Sequence, residues 1–282
     1  MSAQNIQRSK KHHFIPKAML RNFCFESNAV YYVEKAHPGR EPKRRNISSI
    51  FCRRHYHSVL KQKTHYDTDL EAFFANNLEA YIPEWTSIFK RAVSSGRIEF
   101  GSEDLQTWFI QFFYNHMKRS PDFLDPIAKS SMSEVFHPEV IEEVERNFRP
   151  LSQKEKERIL SPEFQDETLW NSRVVNISKQ GMEVLEIIAE MDLVVATSAR
   201  QKDFIVASNP VARFERYRNQ RLGEIGVEMW TTFSASIAVG FVAKGAGTGT
   251  LFLGSGLVLT QSQKMTVAAS AIAEKKVFGH RS

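Results

Sequence analysis

Cysteine is scarce in this chain of 282 residues, with Cys24 and Cys52 its only two. Two thiols exclude a disulfide-framed scaffold, and because the first residues carry no apolar secretory core, a reducing cytoplasm is the expected compartment. A long uninterrupted apolar run is also missing. The nearest candidate, 233–259, is broken by Lys244 and by glycines at 240, 245, 247, 249, 254 and 256. That pattern suits buried strands joined by glycine turns better than a membrane span, so no membrane partner is expected. Repeats and low-complexity blocks are absent. So are a Gly-x-Ser-x-Gly elbow, a kinase signature and His-Glu-x-x-His. Gly245-Ala246-Gly247-Thr248-Gly249 lacks the Lys-Ser/Thr of a phosphate-binding loop and reads as a glycine-rich hairpin.

The chain does have material for a core, being 42% hydrophobic and 11% aromatic. Its charge is unevenly placed. Residues 1–63 hold fourteen Lys or Arg against three Glu, a net of +11, which leaves −5 for the remainder of a chain whose total is +6. This asymmetry points to a polyanion, such as nucleic acid or a nucleotide, met through the N-terminal third. A solvated basic surface balanced by the acidic remainder fits the same numbers.

The pattern along the chain predicts an α+β fold, taken as one domain over 1–282. A basic N-terminal hairpin layer covers 1–66, a mostly helical region 67–190, and an antiparallel or mixed sheet with a C-terminal helix 191–282. Ala29 to Glu34 has strand composition, with a turn at His37-Pro38-Gly39, and a second short strand is expected around Cys52 to Val59. From Asp69 an apolar stripe at helical spacing runs through Leu70, Phe73, Phe74, Leu78, Ile82, Trp85, Ile88 and Phe89, with a kink expected at Pro83. A second helix spans about 102–118, with Ser102 or Asp104 at its start and Leu105, Trp108, Phe109, Phe112, Phe113 and Met117 turned inward. Exposed helices fill 122–162. An amphipathic helix at 163–190, with Met182 on its buried side, is open to division at Gly181. Short apolar strands at 193–196, 204–207 and 236–242 precede a final helix over 262–276.

Three polar clusters carry candidate chemistry. The first is Lys10-Lys11-His12-His13-Phe14-Ile15-Pro16, where two imidazoles stand beside two ammonium groups. Neighbouring positive charge favours neutral imidazole, which suits a general base or a phosphate-facing donor. Adjacent residues of an extended segment face opposite ways, so only one of His12 and His13 enters any pocket. The alternative is a basic arm leading into the first core helix. The second cluster, Arg119-Ser120-Pro121, closes the aromatic helix; its cation either complements the helix dipole or clamps a phosphate. The third, Ser208-Asn209-Pro210, follows a buried strand and either lines a ligand or forms the turn that Pro210 enforces. Cys52-x-x-His55-x-His57, with Cys24 and His65, has residue types that zinc uses but not the spacing of a known finger. No metal or other cofactor is therefore expected.

These clusters, in this order, resemble the signatures of domain-of-unknown-function family 4238. The resemblance rests on His12-His13-Phe14-Ile15-Pro16 with Leu20-Arg21-Asn22-Phe23, on Asn46-Ile47 and Tyr56, on His116-Met117-Lys118-Arg119-Ser120-Pro121, and on Phe204 through Val211. It covers nearly the whole chain. Members commonly carry Asp where this chain has Ser208 and Thr where it has Ser120; an acid catalytic in relatives would be missing here. The resemblance implies architecture and site location but no activity.

The functional expectation is a phosphodiester-cleaving enzyme, a nuclease or phosphodiesterase. His12 or His13 is its general base, Asn209 positions substrate or water, and Arg21 and Arg119 neutralise phosphate charge, with Tyr56, Arg44 and Arg45 as further substrate contacts. One alternative is a non-catalytic nucleic-acid or nucleotide-binding module. There Lys43, Arg44, Arg45, Arg53 and Arg54 meet phosphates while Tyr31, Tyr32 and Tyr56 stack on bases. Another is a defence or interaction protein docking through 122–162.

Overall fold

A computed structural model describes residues 10–34, 37, 40–61, 65–135, 138–179, 181–198, 203–245 and 275–278. The basic third opens with β1 (Lys11–His13) and the short helix α1 (Lys17–Leu20), followed by β2 (Ala29–Glu34), β3 (Lys43–Asn46), β4 (Cys52–Arg54), β5 (Val59–Lys61) and β6 (His65–Asp67). These strands do not make one hairpin layer. β2 with β3 and β5 with β6 are the expected local antiparallel pairs and β1 pairs with β4, but they lie in three sheets, and β2 also pairs with β12 from the far end of the chain. His55 and His57 are not on a strand at all: they lie in the turn between β4 and β5, where His55 has φ +53°, so the shared strand face expected of them does not exist.

The helical region contains α2 (Asp69–Phe73), α3 (Ile82–Ser95), α4 (Glu103–Lys118), α5 (Pro121–Val135), α6 (Pro138–Asn147), α7 (Gln153–Leu160), α8 (Pro162–Ser178) and α9 (Met182–Glu190). The stripe beginning at Asp69 is not one kinked helix. After α2 the chain makes a π turn, Phe74–Leu78, and a 3-10 turn, Glu79–Tyr81. Pro83 then sits in the first turn of α3, where its missing N–H leaves no bond unmade. Ser102, not Asp104, caps α4 by accepting from the Leu105 N–H at 3.2 Å. Phe109, Phe112 and Phe113 are buried as expected; Trp108 and Met117 are half-buried, and Tyr114, His116 and Lys118 are buried too. Gly181 does separate α8 from α9, but Met182 is exposed.

The last third supplies β7 (Asp192–Thr197), β8 (Ile205–Val206), β9 (Val211–Glu215), β10 (Val227–Thr232), β11 (Ile237–Val242) and β12 (Lys275–Phe278). One antiparallel sheet has the order β7-β11-β10-β9, and another has β3-β2-β12-β8. The expected final helix is overturned at its end, where Lys275 and Lys276 belong to β12, paired with β2. Its earlier part, and the glycine hairpin beyond Gly245, fall outside the described residues. Gly240 marks no turn. It lies in the middle of β11 opposite Trp230, and a Cβ there would come within 2.4 Å of the indole.

One hydrophobic core joins Phe14 and Ile15 from the N-terminal segment, Trp85 and Phe109 from the helices, and Phe233 and Phe241 from the sheet. The centroids of Phe113 and Phe241 lie 4.8 Å apart, edge to face. Burial of this aromatic slab sets α4 between the basic segment and the C-terminal sheet, and thereby brings the three polar clusters together. Among the described residues no helix is long and apolar enough to cross a membrane.

Candidate functional site: a buried His-Glu-Arg cluster

Strand alternation separates the paired imidazoles. His12 turns inward and is fully buried; its Nδ1 accepts the His57 main-chain N–H at 3.1 Å, and its Nε2 lies 3.5 Å from Ser58 Oγ. His13 turns to the other side, where Nε2 meets the Ile47 carbonyl at 3.3 Å. Burial, with Lys17 and Arg119 nearby, lowers the His13 pKa to about 4, so the ring is neutral and donates that bond.

His57, whose side chain is 0% exposed, faces the same interior as His12. Its Nδ1 is 2.9 Å from Glu71 Oε2. Burial would raise the Glu71 pKa, but the His57 hydrogen bond and the Arg119 charge outweigh it and hold the carboxyl at about 2. Burial depresses His57, with Arg119 adding to the effect, while Glu71 and the Arg119 main-chain carbonyl pull the other way. The result is a neutral imidazole donating Nδ1–H to a carboxylate. His57 Nε2 has no hydrogen-bond partner of acceptable geometry among the described residues.

Arg119 closes the cluster. Its guanidinium, 2% exposed, donates to Glu79 Oε1 and to the His13 carbonyl, each at 2.6 Å, lies 3.8 Å from Glu71 Oε2, and rests over the Phe74 ring at 4.3 Å. Glu71 and Glu79 reach one guanidinium because the π turn lies between them. In a regular α-helix eight residues advance about 12 Å. Single-turn π segments of this kind recur at functional positions.

The third cluster is tied in through Asp122, whose N–H donates to Ser120 Oγ at 3.1 Å while its Oδ2 accepts from Ser208 Oγ at 3.0 Å. Three remote segments are thus joined: His12-His13 to Arg119 directly, and Arg119-Ser120 to Ser208 by way of Asp122. Asn209 is half-buried in the turn between β8 and β9. Other expected site residues lie elsewhere. Arg21 is exposed, while its neighbour Asn22 bridges Thr86 Oγ1 and the Phe233 carbonyl. Tyr56 is buried, donates to Asp125 Oδ1 at 2.7 Å and lies beneath Arg53 and Arg173, which leaves no face for a base. Tyr32 is buried and Tyr31 stacks on Phe25 at 4.6 Å. Arg44 and Arg45 are exposed on β3, with Arg44 paired to Glu26.

Sequence reasoning missed Glu71 and Glu79, which carry no signal beyond their place near an apolar stripe. His57 was visible only within the Cys52-x-x-His55-x-His57 pattern. That pattern does not assemble: Cys52 Sγ approaches the Ser48 carbonyl and His55 stacks on Tyr66 at 3.9 Å. The metal-capable group that does form is His12, His57 and Glu71, with one ligand atom from each, all within 4.8 Å of one another. A cavity of about 420 Å³ is lined by Phe73, Phe74, Trp108, Gln111, Asn115 and Ile177 among others.

An α+β fold whose polar centre is assembled from these three motifs defines the class of protein. Residues 11–233 match the family model described as Protein of unknown function (DUF4238), and the chain belongs to that family. The matched span includes all three motifs. No curated protein and no solved structure matches the chain.

Proposed function

We propose that the cationic surface of β1, β3 and β4 binds a polyanion, with nucleic acid the class whose chemistry fits best. The observation that carries this reading is that every residue of the β3 edge strand, Lys43-Arg44-Arg45-Asn46, is exposed, as are Lys11 and Arg54, which face each other in register in the β1/β4 pair of the same basic segment. Arg44 and Arg53 already hold Glu26 and Asp125. Phosphate contact therefore falls chiefly to Lys10, Lys43, Arg45 and Arg54, with the Tyr31–Phe25 stack beside them as an aromatic surface. Anisotropy titrations with single- and double-stranded DNA and RNA over a salt series test it. Affinity is expected to fall steeply with salt. Replacing Lys43, Arg45 and Arg54 together by Ala should reduce the log–log slope by about 2 to 3. Binding indifferent to ionic strength, or unaltered in that variant, overturns the reading.

Phosphodiester cleavage is the second reading, favoured by one observation: the inward face of the same β1/β4 sheet presents His12 to the His57–Glu71 pair. His13 is committed to Ile47 and His12 to the His57 amide, so proton transfer is assigned to His57, oriented by Glu71, with Arg119 as a positioning residue. Cleavage of DNA and RNA by wild type, lost in His57→Gln with polyanion binding retained, is the expected result. Binding without cleavage by wild type leaves the first reading alone.

A further inference from the structure

We propose that His12, His57 and Glu71 form a binding site for a divalent first-row transition-metal ion, with zinc or a near neighbour as the class that suits two imidazoles and one carboxylate. The argument begins with spacing. Ligand atoms about 2.1 Å from one ion lie roughly 3.0–3.5 Å from each other in tetrahedral or octahedral arrangement. Glu71 Oε2 is 2.9 Å from His57 Nδ1 and 3.9 Å from His12 Nδ1, and one ligand atom from each of the three residues lies within 4.8 Å of the others. A movement on the order of 1–2 Å by His12, which gives up the His57 amide, closes the set.

Charge supports the same conclusion. Two carboxylates, Glu71 and Glu79, face one guanidinium, and Arg119 gives its close contact to Glu79 at 2.6 Å while standing 3.8 Å from Glu71. Glu71 thus keeps the longer approach to that shared cation together with its hydrogen bond from His57, a negative donor set that an ion can join. A further observation is independent of that balance. His57 is completely buried, and its Nε2 makes no hydrogen bond of acceptable geometry among the described residues, although the Arg119 main-chain carbonyl lies close enough to influence the ring. Glu71, 22% exposed, leaves one side open for entry and for a water ligand.

Nitrogen and carboxylate donors select against Ca²⁺ and Mg²⁺, which take all-oxygen sets. The site is separate from the exposed cations of the polyanion surface and does not depend on that reading; it takes the same His57–Glu71 pair that the cleavage reading uses for proton transfer, so an ion held there excludes that role for His57.

The test is titration of the full chain, stripped of metal by chelator, with Co²⁺, Zn²⁺, Mn²⁺ and Mg²⁺. Expected are one Co²⁺ per chain with visible d–d absorption, a rise in Tm with Zn²⁺ and Co²⁺ but not Mg²⁺, and loss of both signals in Glu71→Gln and His57→Gln. Should either variant fail to fold, Cu²⁺ added to wild type reads the ligands directly, since two imidazole nitrogens give resolved coupling in its paramagnetic resonance spectrum. Absence of stoichiometric binding in wild type, a copper spectrum without imidazole nitrogen, or unchanged binding in folded Glu71→Gln and His57→Gln each overturns the site. Salt-dependent oligonucleotide binding, measured on the same samples, reports on the polyanion surface separately.

Discussion

Arg119 donates through Nη2 to the main-chain carbonyl of His13, 106 residues earlier in the chain, at 2.6 Å. The bond fixes the end of α4 against β1 and makes a buried guanidinium part of the fold before any function is assigned to it. Removal leaves Glu79 and Glu71 without their shared cation. Arg119→Met is expected to cost about 3–5 kcal/mol. Equilibrium urea unfolding measures this, and a loss below about 1 kcal/mol denies the tie its structural weight.

His116 is stacked on Phe112 at 5.1 Å, and neither ring nitrogen has a hydrogen-bond partner among the described residues. Burial first, then Arg119, lowers its pKa from 6.5 to about 3. The unfolded chain therefore takes up this proton near pH 6.5 and the folded chain only near pH 3, so the stability associated with it is complete above the first value and is lost as pH falls toward the second. His116→Leu should raise stability at pH 7 by about 1–2 kcal/mol, because it removes two unsatisfied polar atoms. It should also flatten the decline in Tm between pH 6.5 and pH 4. An unchanged acid limb refutes this assignment.

Gly240 allows the Trp230 indole to lie against the backbone of β11, with Trp230 Nε1 donating to Glu228 Oε2 at 2.8 Å. An added methyl group has no room. Gly240→Ala is expected to destabilise by about 1–3 kcal/mol through overpacking and to alter the tryptophan emission, both read in a single fluorescence-monitored unfolding experiment. A variant as stable as wild type shows that the indole moves freely.

Asp125 is a hub, accepting from Tyr56 Oη at 2.7 Å, Arg53 Nη1 at 2.8 Å and Arg173 Nε at 3.1 Å. Burial pushes its pKa up, but Arg53, Tyr56 and Arg173 together bring it below the usual carboxylate range. A carboxyl lowered on folding contributes stability that is present above its unfolded pKa and is lost as pH falls through the folded one. Asp125→Asn should cost about 1–3 kcal/mol at pH 7 and show a smaller difference from wild type in acid. Equal losses at pH 7 and at pH 3 contradict the charge-based account.

Some elements were legible because their causes are local. The α4 stripe, the capping position at Ser102 and the break at Gly181 follow from side-chain spacing and backbone chemistry within a few residues. Other elements were not. The stripe from Asp69 reads as one helix, yet the tertiary environment inserts a π turn that carries Glu71 and Glu79 toward Arg119. Lys275 and Lys276 read as helix and pair instead with β2, since an edge more than two hundred residues away supplies their partners. His57 was grouped with cysteines close to it in sequence, whereas its partner is a carboxylate on a helix whose approach no local pattern encodes.

The sequence by itself determined the α+β class, the basic character of the N-terminal third and the identity of the three polar motifs, because composition, periodicity and residue order are properties of the chain alone. Only the tertiary structure decided which histidines meet, that His13 is turned away while His12 and His57 share Glu71, and that Arg119 is internal. Those outcomes depend on strand alternation and aromatic packing between segments far apart in the chain. Contacts of that kind are set by burial of the whole core and not by any neighbouring residue.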